Sequence, residues 1–213
     1  MNFLAHCALA ADAADAWSCD EEQRRGLIAG ALVGDFIKGG IPADWPLPLR
    51  AGVRLHRRVD AISNRNHSMR AVSASFPGEL RRYAPIFVDI LADHALARRW
   101  EDFYATARSE FCGSCYRDIA SFEDFLTSRG KRFFGYMRDA DLLTNYDDWI
   151  HVEDGLSSVL RRLGRPDLSR EVTAQSQARI ELMDNALDRF YPELQEALAG
   201  WQAFDAIAEP RNS

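Results

Sequence analysis

Histidine and aspartate residues at helical spacing are the first feature of this sequence that could support chemistry. His56 and Asp60 are four residues apart, so in a helix both would project from the same face. Asp89 and Asp93 have the same spacing, and His94 follows about 100° further round the helix. Imidazole nitrogens and carboxylate oxygens that share helix faces are typical of metal sites in helical proteins.

The residues around these polar groups are mostly apolar. Asp89 and Asp93 lie within the segment IFVDILAD, Asp35 follows the segment ALVG, and His6 lies near the start of another apolar segment. A carboxylate in a protein interior must be paired, hydrogen-bonded or bound to a metal, because an isolated buried charge costs several kcal/mol. The apolar surroundings therefore distinguish these residues from ordinary surface pairs.

We expect one or two divalent metals where these residues converge, because four predicted helices each contribute to the set. Nitrogen and oxygen ligands without sulfur suit manganese, magnesium, iron or zinc, and the many carboxylates favour manganese or magnesium. His67 and His151 lack apolar surroundings with carboxylates at ligand spacing, and we interpret them as surface residues. The expected metal ligands are His6, Asp35, His56, Asp89 and His94, and the expected catalytic carboxylates are Asp60 and Asp93.

Basic residues next to this constellation indicate a phosphate substrate. Arg57 and Arg58 follow His56, and Lys38 follows shortly after Asp35. We expect these three cations to bind the non-bridging phosphoryl oxygens. A metal would lower the pKa of a bound water and neutralise charge on the phosphoryl group. The predicted reaction is therefore hydrolysis of a phosphate ester.

Residues 50–82, which we call the arginine segment, are basic within a chain of net charge −6. The segment has eight arginines, no lysine and two acidic residues, which makes its own charge +6. Guanidinium groups suit phosphate or an acidic partner surface, although a solvated helix face is the alternative interpretation. Nucleic acid is not expected as a partner, because the whole chain is acidic and the segment lacks interleaved aromatic residues.

The elements that must position these residues are predicted to be helices. Helical spacing of apolar residues recurs along the chain, and no alternating strand pattern persists. Ser63 or Asn64 is the expected cap of the fourth helix, and Pro85 fits the first turn of the fifth. The first five helices are predicted at about residues 2–17, 21–37, 49–62, 64–76 and 85–104.

The second half of the chain also has helical character. We predict one helical stretch that begins within residues 121–128 and further helical segments from residue 147 onward. The last helix is predicted to be interrupted at Tyr191-Pro192 and to resume to about Phe204. The fold class is therefore all-α, a single helical bundle over residues 1–213. Residues 1–104 would carry the metal site, and residues 105–213 would complete the core.

Composition limits the other classes of protein. Apolar residues make up 47% and charged residues 27% of the chain, which is the balance of a globular protein. No apolar run is long enough for a membrane span, and the first residues lack the basic start of a signal peptide, so we expect a cytoplasmic protein. The four cysteines should stay reduced there, and Cys112 and Cys115 lack the second ligand pair that a zinc site needs.

Four motifs occur in order along the first half: MNFLAH (1–6), GDFIKG (34–39), HRRVD (56–60) and RRYAPIFVDILADH (81–94). Together they resemble the acyl carrier protein phosphodiesterase family, whose members are also called acyl carrier protein hydrolyases. This family is regarded as a divergent branch of the HD phosphohydrolase superfamily. The superfamily's adjacent His-Asp pair has the reverse order here, Asp93-His94.

The resemblance implies an HD-domain-like bundle that removes 4′-phosphopantetheine from holo acyl carrier protein by cleaving the phosphodiester to its serine. It also implies a divalent metal, typically manganese, and an acidic protein substrate that would dock on the arginine segment. Carried over by motif, the metal and catalytic positions are His6, Asp35, His56, Asp60, Asp89, Asp93 and His94, with Arg57 and Arg58 as the paired arginines.

Two other functions stay open at this point. An HD-like phosphohydrolase could act on a nucleotide or another small phosphoester, and it would then turn over free nucleotides without an acidic protein partner. A helical binding module could instead recognise an acidic protein through its arginines without catalysis. The module would contain no metal, and His56→Ala would leave its function intact.

Overall fold

Helices make up the regular structure of residues 1–204, the part of the chain that the computed structural model describes, and no strand occurs there. The all-α prediction is confirmed. The helices are α1 (Phe3–Ala16), α2 (Glu21–Val33), α3 (Leu47–Ser63), α4 (His67–Ser75), α5 (Ala84–Arg98), α6 (Trp100–Phe103), α7 (Arg108–Ala120), α8 (Ser128–Asp139), α9 (Trp149–Arg162), α10 (Ser169–Gln177) and α11 (Ile180–Ala199). Short 3₁₀ turns are Gly34–Phe36, Gly78–Arg82, Glu123–Phe125, Thr144–Asp147 and Pro166–Leu168.

Helices α1 and α5 lie at the centre of the molecule. Ten of the 14 residues of α1 and 11 of the 15 residues of α5 are buried, on all sides of each helix. A helix that is apolar on all sides is stable only when other elements pack against every side and shield it from water. The buried apolar side chains of both chain halves join into one core, from Met1 to Ala203. The residues singled out on α1 and α5 are therefore carried into the interior.

Helices α2 and α3 pack unusually closely through glycine. A Cβ atom on Gly30 would lie 2.6 Å from the Cα atom of Gly52, a distance that no real contact tolerates. Only glycine at these positions lets the two backbones approach so closely. This contact brings the end of α2 against the middle of α3, where His56 lies.

Several predicted boundaries in the first half were wrong in detail. The second helix ends at Val33 and continues as a 3₁₀ turn that contains Asp35. The cap of α4 is Asn66, whose side chain accepts the N–H groups of Ser68 and Met69 at 2.8 and 3.3 Å. The fifth helix ends at Arg98, six residues earlier than predicted, and the short α6 follows it.

The second half contains two further differences. Helix α7 was not predicted, because its glycine, serines and cysteines are weak helix formers; burial of Cys112, Cys115 and Ile119 stabilises it. The predicted interruption at Pro192 was wrong, since α11 runs through it. The carbonyl that proline leaves unpaired belongs to exposed Asp188, where water can satisfy it.

Helix α11 ends at Ala199, before the predicted end near Phe204. The predicted domain reaches residue 213, and its residues 205–213 lie outside the described part of the chain. Among the helices of residues 1–204, none combines the length and the apolar character that a bilayer crossing requires.

Candidate metal centre

Three of the predicted site residues come together where α1 crosses α3. His6 of α1 directs Nε2 to Oδ1 of Asp60 at 3.2 Å, and His56 of α3 directs Nε2 to Oδ2 of the same carboxylate at 3.3 Å. One ligand atom from each of the three residues lies within 4.8 Å of the others. We call this group the His-His-Asp cluster. Two buried imidazoles and a half-buried carboxylate at this spacing can hold a divalent cation.

The hydrogen bonding of His56 is consistent with a cation in the cluster. Nδ1 of His56 donates to the backbone carbonyl of Ala31 at 2.9 Å, which leaves Nε2 without a hydrogen in the neutral ring. The lone pair of Nε2 then faces a carboxylate oxygen of Asp60. Two acceptors in contact repel each other, so either a proton or a metal ion must lie between them. The side chains of His6, His56 and Asp60 can therefore hold a metal ion.

The two imidazoles of the cluster differ in their affinity for protons. Burial, and after it the charge of His56, lowers the pKa of His6 to about 3. Burial also acts to lower the pKa of His56, but the hydrogen bond to Asp60 and the charge of Asp35 raise it above its ordinary value. The rings stack with centroids 4.1 Å apart, so one positive charge is the most that the pair accommodates.

The carboxylate of Asp60 is held in its ionised form. Burial alone would raise its pKa, but hydrogen bonds from His56 and His6 outweigh burial and lower it well below the usual range. Nδ1 of His6 is buried and has no hydrogen-bond partner in residues 1–204. That nitrogen is free to carry the ring proton when Nε2 of His6 binds a cation.

Asp35 lies at the edge of the cluster. Its Oδ1 is 4.0 Å from Nε2 of His56, and its side chain is 40% exposed. Burial, as the largest influence, raises the pKa of Asp35. The preceding Gly34 packs flat against the imidazole of His56, and a Cβ atom there would collide with the ring. The 3₁₀ turn thus positions both Asp35 and His56.

Asp89 faces the same region from α5, but its direct partner is the chain's own amine. The ammonium group of Met1 donates to Oδ1 of Asp89 at 2.5 Å. Burial raises the pKa of Asp89, the ammonium group lowers it, and Asp60 and His56 also influence it. Asp89 is therefore an electrostatic neighbour of the His-His-Asp cluster and not one of its three members.

Asp93 lies one turn further along α5 and caps α1. Its carboxylate accepts backbone N–H groups from Asn2, Leu4 and Ala5 at 3.0, 2.7 and 3.3 Å. The first N–H groups of a helix have no partner within it, and the Asn2 side chain does not cap α1. Burial raises the pKa of Asp93 to about 7, although these three hydrogen bonds act to lower it. Its contacts are those of a residue that holds the start of α1.

His94 points away from the cluster. Its Nδ1 donates to the carbonyl of Tyr146 at 2.8 Å, and its ring contacts Trp149 edge to face at 5.4 Å. Burial lowers the pKa of His94. Asp89 and His94 are five residues apart, which places them about 140° apart round α5, so they face different sides of the helix.

The three predicted phosphate-binding cations are exposed. Arg57 donates to the carbonyl of Gly39 at 2.8 Å, and the guanidinium of Arg58 lies 5.9 Å from the ring centroid of Trp201. Lys38 lies in the loop after the 3₁₀ turn. These contacts hold Arg57 and Arg58 against Gly39 and Trp201 and do not bring them to the His-His-Asp cluster.

Three site contacts were missed by sequence reasoning: the carbonyl of Ala31, the close approach of Gly34 and the amine of Met1. Only Gly34 had a signal, because it opens the motif GDFIKG. The carbonyl of Ala31 and the amine of Met1 are backbone groups, so residue types do not indicate what they contact.

The cysteines do not form a metal site in the described residues. All four thiols are free, and the only group of three or more metal-capable side chains found there contains no cysteine. Cys112 and Cys115 are buried in α7, and burial raises the pKa of Cys112 to about 12. A thiol held protonated is a poor nucleophile and a poor ligand, which agrees with the structural interpretation of these residues.

An all-helical protein with a His-His-Asp cluster has the arrangement by which helical bundles can present metal ligands from facing helices. A family model described as acyl carrier protein phosphodiesterase matches residues 1–194. The chain therefore belongs to the acyl carrier protein phosphodiesterase family, and the resemblance seen in its motifs is confirmed. The match extends well beyond residues 1–104, to which the motifs are confined.

Relatives that match over nearly their whole length are named acyl carrier protein phosphodiesterase. An acyl carrier protein phosphodiesterase from Salmonella newport (strain SL254) is 28% identical over 200 residues, which cover 91% of this chain and 95% of the relative. One from Escherichia coli O6:H1 is 28% identical over 200 residues, with 92% and 96% covered. No solved structure matches the chain significantly.

Proposed function

We propose that this protein hydrolyses the phosphodiester between 4′-phosphopantetheine and a serine of holo acyl carrier protein, which yields apo acyl carrier protein. Water adds a hydroxyl group to phosphorus, the bond from phosphorus to the serine oxygen breaks, and that oxygen takes up a proton. Membership of the family and the names of the relatives support this phosphoric diester hydrolase activity. A nucleotide substrate has no comparable support.

The convergence of His6, His56 and Asp60 is the single observation that carries the chemistry. We propose that the cluster holds Mn²⁺, with Mg²⁺ or Fe²⁺ as alternatives, because it has no sulfur ligand and because the carboxylates of Asp35 and Asp89 lie near that of Asp60. When bound, a divalent metal lowers the pKa of water and neutralises charge on a phosphoryl group. The exposed edge of Asp35 is the side from which an anionic substrate can approach.

The remaining roles, which are metal binding, charge balance and phosphate binding, belong to side chains of this protein. His6 and His56 bind the ion through Nε2, and Asp60, which was predicted to act in catalysis, also contributes an oxygen to the ion. Asp35 and Asp89 complete the negative charge around it. Three exposed cations, Lys38, Arg57 and Arg58, bind phosphoryl oxygens once substrate arrives.

Two predicted site residues receive indirect roles in this proposal. Asp93 positions His6, because it holds the first turn of the helix that carries this imidazole. His94 supports the packing of α5 against the turn Thr144–Asp147 through the carbonyl of Tyr146. Their contacts support these roles over direct contact with substrate.

The arginine segment is the proposed docking surface for the acidic carrier protein. Six of its eight arginines are exposed: Arg57, Arg58, Arg65, Arg70, Arg81 and Arg82. They lie on α3, in the connection from α3 to α4, on α4 and on the turn before α5, so they flank the elements that carry the cluster. We also infer a cytoplasmic location, which the four free cysteines support.

Mass spectrometry of holo acyl carrier protein provides the test. Incubation with this protein and Mn²⁺ should remove the mass of phosphopantetheine, and a chelator should abolish that loss. His56→Gln should also abolish it, whereas His151→Gln, at a histidine of α9 outside the cluster, should not. Turnover of nucleotides without change in any carrier protein would contradict the proposal, and so would full activity of His56→Gln.

A further inference from the structure

A cavity of about 630 Å³ opens beside the candidate metal centre. It lies between the end of α3, the length of α4 and the start of α5, and it is partly open to solvent. Small-molecule sites usually measure roughly 300–1,000 Å³, so the cavity is large enough for an extended ligand. A docking face for a whole protein buries a broad surface, so a cavity of this kind suits a small or extended ligand better.

One wall of the cavity reaches the candidate metal centre through Asp89. The side chain of Asp89 is 37% exposed, and its charge interacts with Asp60 and His56 of the cluster. Asp89 therefore belongs both to the cavity wall and to the charged surroundings of the cluster. A ligand whose phosphate end reaches Asp89 would have the rest of its chain along α4.

Apart from Asp89, the less exposed residues that line the cavity are neutral. Ser63 is 3% exposed, and its buried hydroxyl has no hydrogen-bond partner in the described part of the chain. Ser73 offers a second hydroxyl, and Met69 and Val88 supply apolar surface. An unsatisfied buried hydroxyl is costly, and one that lines a cavity is a binding group for a polar ligand.

The charged residues lie at the outside. Arg65 and Arg70 line the cavity but are exposed, and they make no ion pair within residues 1–204. This arrangement, with neutral hydroxyl and apolar groups inside and cations at the rim, suits a neutral chain attached to an acidic body. A ligand with charge along its whole length would find no partners on the inner wall.

We propose that this cavity binds the pantetheine arm of the substrate, and this inference rests on the proposed function. The arm is a neutral chain with a hydroxyl group, two amides, two methyl groups and a terminal thiol. Its amides need hydrogen-bond partners when they leave water, which Ser63 and Ser73 supply. Met69 and Val88 contact the carbon chain, and the phosphate end lies towards Asp89.

Titration calorimetry with pantetheine, which lacks the phosphate, tests the inference without any chemistry. Ala71 and Ala74 are exposed on α4 and line the cavity, so a phenylalanine at either position would fill it without disturbing the core. The wild-type protein should bind pantetheine, and Ala71→Phe should weaken binding at least about tenfold. Ala174→Phe, on the exposed face of α10, is the matched control and should bind as the wild type does.

Ser63→Ala provides a second measure, because it removes one hydroxyl and adds no bulk. It should weaken pantetheine binding by about three- to tenfold and leave the melting temperature unchanged. Ala74→Phe replaces Ala71→Phe if that variant fails to fold. Absence of pantetheine binding by the wild type, or equal binding by a folded variant with phenylalanine in the cavity, overturns the inference.

The two proposals fail in different ways. Release of phosphopantetheine from holo carrier protein by a wild type that does not bind pantetheine overturns the arm site alone. Pantetheine binding that Ala71→Phe abolishes, without any release from carrier protein, supports the arm site and overturns the hydrolysis.

Discussion

At the scale of single residues, the backbone of α2 determines how His56 can bind a cation. The carbonyl of Ala31 holds the ring proton on Nδ1, so Nε2 can accept only a proton or a metal against Asp60. His6 differs, because its pKa is lowered to about 3 and it remains neutral at ordinary pH. The competition between proton and metal in this cluster is therefore concentrated on His56.

Affinity for Mn²⁺ should rise with pH in the range above His56's ordinary pKa of about 6.5. The pKa of His56 is raised in the metal-free protein, so below that pKa a proton occupies the position that the metal needs. Each decrease of one pH unit below the pKa of His56 should weaken Mn²⁺ binding by up to about tenfold. Titration calorimetry from about pH 6 to about pH 9 measures the slope.

His67→Gln, at an exposed histidine, should keep the wild-type slope, and His56→Gln should bind weakly with a flatter slope. Stability of the metal-free protein has the opposite dependence. A raised pKa means that His56 stabilises the fold below pH 6.5 and that this contribution is lost as pH rises through the raised value. Mn²⁺ affinity that does not change over this range would show that His56 is not a ligand.

At the scale of elements, helix contacts place the cluster more strictly than the residue pattern does. Helix α5 holds the start of α1 through Asp89 and Asp93, which are four residues apart. Helix α2 approaches α3 through glycine and sets Gly34 against the ring of His56. Two helix pairs thus position His6 and His56: α5 with α1, and α2 with α3.

Gly34→Ala tests this positioning. The added methyl group would collide with the imidazole of His56, so the ring or α2 must move. We expect Mn²⁺ binding to weaken by at least about tenfold, with a loss of about 1–3 kcal/mol in the free energy of unfolding. Calorimetry and thermal unfolding measure the two effects.

Gly135→Ala is the matched control, because nothing lies within 4 Å of the position and it is inside α8. That variant should keep metal binding and be equally or slightly more stable, since alanine favours helix. Wild-type metal binding by Gly34→Ala would contradict a role for this contact.

At the scale of the whole molecule, charge is separated between the arginine segment and the rest of an acidic chain. The segment has a charge of +6 within a net charge of −6. Its exposed arginines flank both the cluster and the proposed arm cavity. A field of this kind attracts and orients an acidic protein, and salt screens it.

Arg70→Glu should raise the KM for holo acyl carrier protein several-fold at low salt, with a smaller change in kcat, because docking is weakened and chemistry is not. The effect should shrink as salt rises. Arg161→Glu, which reverses an exposed arginine on α9 outside the segment, is the control and should have little effect. Kinetics that do not respond to Arg70→Glu or to salt would mean that the segment does not steer the substrate.

The sequence by itself determined the fold class, the family and the three residues of the cluster. Apolar periodicity and i,i+4 spacing are local properties, so they predict helices and shared faces without knowledge of neighbours. His6, His56 and Asp60 could all be named from such patterns in the motifs. The boundaries near Phe36 and Pro192 could not, because packing and solvent determined them.

The tertiary structure alone decided which of the remaining candidates join the cluster. Asp93 and His94 have the same residue types and apolar context as the cluster's members, yet one caps α1 and the other binds the Tyr146 carbonyl. Their partners are backbone groups far away in the chain, and residue types do not indicate which backbone groups a side chain will contact. The close contact of α2 with α3, which glycine permits, then selects the face of His56 that meets Asp60.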